Sequence, residues 1–116
     1  MAFAYSQLTP ITTIASSVGA VYTNPSSKTS YIRSIVIHNT NTTAETVALH
    51  NVPDNSGSVG TAAATNQFYK TSVAADTTII IEFPVPGIIL SDVNDTIQAS
   101  TTTASKVTIQ ISGATE

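Results

Sequence analysis

The sequence predicts an all-β fold, a single antiparallel β-sandwich, jelly-roll-like, of about eight short strands. Three observations lead there. Short runs alternate apolar and polar residues, and turn residues separate the runs about every 8 to 15 positions. No window carries the i, i+3, i+4, i+7 apolar stripe of a packed helix. The length, 116 residues, is that of one domain with room for a sizeable core.

Residues 1–17 spread Phe3, Tyr5, Leu8, Ile11 and Ile14 among Ser, Thr and Pro10. They read equally as an N-terminal arm and as an edge strand of the sandwich that residues 18–116 form, since Phe3 and Tyr5 alternate correctly for a strand. In Tyr31–His38 both faces are apolar, Ile35 and Ile37 on one and Ile32 and Val36 on the other, so this strand is expected to be central or covered by a partner. Thr46–His50 turns Val47 and Leu49 inward. Residues 51–66 are small and polar without alternation, a long loop that is either mobile or ordered against a neighbouring subunit. Thr78–Phe83 sets Ile79, Ile80 and Ile81 in a row; these β-branched residues favour the pleated backbone, and apolar groups on both faces again predict a covered strand. Thr96–Ser100 alternates, as does Lys106–Ser112, where Val107, Ile109 and Ile111 face inward and Thr108 and Gln110 face water. Between the runs, Asn24–Ser27, Asn39–Thr42, Ala75–Thr77, Pro84–Gly87 and Asp92–Asp95 carry turn chemistry.

Charged residues make up 9% of the chain, against roughly 25% in ordinary domains. Ser, Thr and Asn stand in their place, and a hydroxyl that finds a partner costs far less to bury than an ion. Such a surface suits a protein that hides much of its outside against neighbours. A net charge of −3, with Lys28, Arg33, Lys70 and Lys106 the only cations, leaves no basic patch for nucleic acid. No apolar run is long enough for a membrane helix, and residues 1–7 lack the basic and apolar stretches of an export signal, so synthesis in a cytoplasm is expected. With no cysteine there is no disulfide framework.

Catalytic chemistry has no foothold. His38 and His50 fall at or near the ends of neighbouring strands and could approach across a hairpin, but no third ligand stands at a coordinating spacing, so no metal is expected. Asp92–Asp95 lacks the spacing of a calcium loop and reads as a tight turn. No nucleophile elbow or glycine-rich phosphate loop is present, which predicts neither an enzyme nor a cofactor. What is left is contact chemistry. Arg33, a lone guanidinium in an apolar run, either reaches water at a sheet edge or pairs with a partner's carboxylate. Phe3, Tyr5, Phe68 and Tyr69 are candidate contact aromatics, and Pro53, Asn55 and Val59 are the candidates in the long loop. An exposed aromatic face would also allow a carbohydrate-binding module, although tryptophan is absent.

The stretch from Val21 to Thr40, with Tyr22-Thr23-Asn24-Pro25-Ser26-Ser27-Lys28-Thr29 leading into a strand that ends in Asn39-Thr40, resembles small all-β virion proteins of tailed bacteriophages. Further on, Phe68-Tyr69-Lys70, the Val73–Thr77 turn, Ile88-Ile89-Leu90, Asn94–Ser100 and Val107–Gly113 are similar to the closing half of the same family. The chain departs from that pattern at Ser27, where the family turn carries Gly, and in the 51–66 loop, which is longer than the usual connection. The resemblance implies a capsid decoration or cement protein on the virion surface. Its partners would be the major capsid protein and further copies of itself, as a homodimer or homotrimer. A tail or neck component is the alternative it allows.

Overall fold

Residues 4–116, which the computed structural model describes, pair their apolar faces into two antiparallel sheets. In chain order the strands are β1 (Ala4–Thr13), β2 (Gly19–Thr23), β3 (Ser30–Asn39), β4 (Glu45–Val52), β5 (Gln67–Val73), β6 (Thr78–Glu82), β7 (Ile88–Leu90), β8 (Thr96–Thr101) and β9 (Val107–Thr115). One sheet runs β1-β9-β3-β6, with β7 also on β3; the other runs β2-β8-β4-β5. Since β6 and β7 flank the same side of β3, they are two halves of one interrupted strand, and the order is then that of a jelly roll. Ile14, Ile35, Ile37, Leu49, Ile97 and Ile109 lie in the shared core, each at most 1% exposed. Residues 4–13 form β1, an edge strand laid along β9.

The central strand β3 breaks its own alternation. Against β9, Ile32 pairs with Gly113 and Ser34 with Ser112, which makes Arg33 the extra residue of a β-bulge. The bulge shifts the side-chain phase, so Ile32 is buried with Ile35 and Ile37 while Val36 stays outside. Ile32 and Val36 therefore do not share a face, as strict alternation predicts. On the other flank β6 pairs up to Ser34 with Glu82, and β7 resumes at Ile32 with Ile88. Residues 83–87 thus loop out opposite Arg33. Two glycines make the site possible. A Cβ on Gly113 would stand 2.0 Å from the Tyr31 carbonyl oxygen, and one on Gly87, at φ +92°, would stand 2.1 Å from that of Ile32.

Other expectations change with the topology. β3 and β4 lie in different sheets, so His38 and His50 sit on opposite outer faces and cannot meet across a hairpin. Arg33 lies on a central strand, not at a sheet edge. Thr78–Phe83 supplies β6, an edge strand whose Ile80 is 61% exposed, where a covered strand was expected. β4 extends to Val52, and the loop beyond it is ordered by its own chain: Gln98 donates to the Gly60 carbonyl, Asn94 to that of Gly57, and Asn66 to that of Thr61. Its 3₁₀ turn, Ala64–Asn66, leads into β5.

At one end of the sandwich Glu45, 2% exposed, accepts hydrogen bonds from Asn41 Nδ2 at 2.9 Å and from the Thr103 N–H at 2.7 Å. Burial alone would raise this carboxyl. The two hydrogen bonds, with the charge of Lys106, outweigh it and hold the group below its ordinary value.

Two predictions follow from these contacts. Gly113→Ala and Gly87→Ala should each cost about 3 kcal/mol or more, because a carbonyl occupies the methyl's place. Gly19→Ala, whose Cβ meets nothing within 4 Å, should stay within about 0.5 kcal/mol of the parent; equal urea midpoints for all three variants would refute the bulge argument. For Glu45, a folded pKa below the unfolded one means stability that is full above the unfolded value, near about 4.3, and lost as pH falls through the folded value. Glu45→Gln should flatten that acid loss in urea titrations taken between about pH 3 and 6.

Candidate interaction surface

The outer face of the five-stranded sheet is laid out by the ladder. Tyr5 of β1 stands opposite Ala114 of β9, which stands opposite Tyr31 of β3, so three strands bring these side chains into one row. Beside them the bulge lifts Arg33, and the 83–87 loop brings Val85 and Pro86 over the same spot. These six residues line a small depression. Tyr5 is 73% exposed and Val85 75%. The Tyr31 hydroxyl donates to Glu116 Oε2 at 2.5 Å. That hydrogen bond, then burial and the carboxylate's charge, push the hydroxyl up from its ordinary value, so it stays protonated.

Arg33 is the unusual member. Its Nε is shut off from water without a hydrogen-bond partner, and no carboxylate is among the residues lining the depression. A buried donor without an acceptor costs about 1–3 kcal/mol. The depression thus offers a guanidinium between tyrosines, the residue types that dominate protein interfaces.

A second concave region lies at the loop end, lined by Asn51, Pro53, Thr65, Asn66, Gln67, Phe68, Ile89 and Asp95. Asp95 organises it. Its Oδ1 accepts the Asp54 N–H at 2.8 Å, and its Oδ2 accepts those of Ser91 at 3.1 Å and Asp92 at 3.0 Å. One carboxylate thereby ties the long loop to the turn before β8. Phe68 also meets Phe83 edge to face, ring centres 6.3 Å apart, which closes the β5/β6 side of the sandwich.

The sequence-derived contact residues divide between these places. Tyr5 and Arg33 come together in the depression. Pro53 and Phe68 line the loop-end groove; Asn55 pairs with Ser58 in the loop, and Val59 is exposed there. Tyr69 is half-buried against the core. Phe3 lies outside the described residues. Sequence reasoning missed Val85 and Pro86, which it took for turn residues, and Asp95, whose reach to Asp54 spans the fold. Among the described residues no three His, Cys, Asp or Glu side chains gather into a metal-binding group, and no helix is long and apolar enough to cross a membrane.

Compared with family models, with curated proteins and with solved structures, the chain returned no match.

Asp95→Ala should cost about 1–3 kcal/mol and speed hydrogen exchange at the amides of Asp54, Ser91 and Asp92. Unchanged exchange at those three amides would show that the loop is held by other contacts.

Proposed function

We propose that this chain is a structural protein of a tailed-phage virion. The reading is a capsid decoration protein that binds across major capsid subunits, associates with further copies of itself and stabilises the head. The observation that carries it is the depression around Arg33, whose Nε is buried without a partner, flanked by tyrosines on a sheet face rich in Thr, Ser and Gln with scattered aliphatics. Such a face is cheap to desolvate, and Arg33 supplies one strong, directional contact for a partner's carboxylate. The jelly roll suits the role, since the architecture occurs in viral capsid domains, but it occurs in lectins as well.

The phage-like turn adds support. Ser27, which stands where that pattern carries Gly, has φ 62° and so takes the left-handed conformation the glycine would supply. Repetition over many copies would turn modest contacts into a firm shell.

Quantitative mass spectrometry of separated heads and tails tests the proposal. A simple ratio of this chain to the major capsid protein is expected on heads, with occupancy reduced roughly tenfold or more by Arg33→Ala or Tyr5→Ala. A few copies confined to tails would instead make it a tail or neck component. Absence from both fractions would sink the virion reading and bring the carbohydrate-binding module forward, with Phe68 in the loop-end groove as its first residue to substitute.

A further inference from the structure

The sequence makes β6 a strand with two apolar faces, yet the fold leaves it at an edge. The hydrogen-bond phase shows what that edge offers. The Asn39 N–H donates to the Thr77 carbonyl and the Phe83 N–H to that of Arg33, so Ile79 and Ile81, in the same phase, turn their backbone groups toward β3. Thr78, Ile80 and Glu82 therefore point theirs away from the sheet.

Among the described residues the sheet edges are β1, β2, β5 and the β6/β7 pair, and the first three are irregular within the strand itself. β1 carries Pro10 and two register shifts, β2 a shift between Ala20 and Tyr22, and β5 a shift at Leu49 and His50 together with Lys70. These are the usual devices against strand addition. Along β6 itself the ladder with β3 is unbroken from Thr78 to Glu82, which is its one charge; the same edge is interrupted only beyond it, by Pro84 and Pro86 in the 83–87 loop before β7.

We propose that β6 pairs with β6 of a second copy, antiparallel about a two-fold axis through Ile80. In that register Thr78 faces the second copy's Glu82, and Ile80 faces its counterpart. Every outward N–H and C=O then finds a partner, since all three facing positions belong to the hydrogen-bonded phase. Sliding by two residues leaves part of the edge unpaired, and centring on Glu82 would set two carboxylates opposite each other. The chosen register sets Ile80 beside its counterpart on the outer face and Ile79 beside Ile81 on the inner one. The joined sheets are continuous across the axis.

This inference rests on the self-association within the proposed function and is independent of the capsid. The isolated chain tests it, by sedimentation from about 10 μM to 1 mM, because an edge of five residues gives a small, weak interface. A monomer–dimer equilibrium is expected. Ile80→Lys, which sets two ammonium groups against each other, should weaken it at least about tenfold. Ile80→Pro removes an N–H that β3 does not use, so it should do the same without breaking the fold. Hydrogen exchange gives a second readout on the parent chain: the amides of Thr78, Ile80 and Glu82 should gain protection with concentration, while those of Ile79 and Ile81 are protected throughout. A monomer across the whole range, or an oligomer that neither substitution weakens, overturns the proposal and leaves the capsid reading standing.

Discussion

The bulge at Arg33 is the constraint on which the rest of this sandwich depends. A strand buried on one face must keep its apolar residues in step with the pleat, and a single extra residue reverses the step. In β3 the reversal adds Ile32 to the inner row of Ile35 and Ile37. The same residue forces both neighbours to adapt. β9 brings Gly113 up to the Tyr31 carbonyl, and the opposite strand opens into the 83–87 loop, divided into β6 and β7 and closed by Gly87. Core phase, strand division and the shape of the outer face thus have one origin. The Arg33 depression is a by-product of that geometry, since the bulge lifts the guanidinium while the displaced loop supplies Val85 and Pro86 beside it.

The scarcity of charge acts with this geometry. Most of the few acidic side chains are engaged within the chain: Glu45 with Asn41 and Thr103, Asp54 with the Gly57 N–H, Asp76 with His38, Asp95 with three amides, Glu116 with Tyr31. They hold turns and loop ends together. The sheet faces are left with hydroxyls, amides and scattered aliphatics, groups that hydrogen-bond to a partner without the desolvation cost of an ion. Against such a background the buried, unpartnered Nε of Arg33 marks a polar group with an unmet hydrogen bond on the outer face.

Much of the fold was legible because strand periodicity is a local signal. Val47 and Leu49, Ile97 and Ala99, and Val107, Ile109 and Ile111 all face inward as their alternation requires. The bulge was not legible: Ile32 and Val36 share a parity, and nothing local in Tyr31–His38 says that a residue has been inserted. The histidines were misjudged because β3 and β4 are consecutive in sequence and lie in different sheets, a property of topology alone. At the candidate surface Tyr5 and Arg33 were legible as chemistry, an aromatic and a lone cation out of place. Their meeting was not, since the ladder through β9 that joins them crosses most of the chain. Asp95 was read as a turn residue, which it is. Its second task, holding Asp54, needed the loop to fold back.

The conflict over β6 is of a different kind, because there the sequence and the isolated fold each carry part of the information. A row of Ile79, Ile80 and Ile81 is the pattern of a strand apolar on both faces, and the topology places it at a sheet edge with a paired neighbour on one side only. In a chain that lived alone, such an edge would invite open-ended association. Pairing about the proposed two-fold would avoid this, because each copy's β6 would be consumed by the other and the interface would close. The ends of the joined five-stranded sheets are then two copies of β1, whose Pro10 and displaced register offer no continuous row of donors and acceptors. In the proposed dimer the irregular edges β1, β2 and β5 would stop growth, and β6 would allow one step of it.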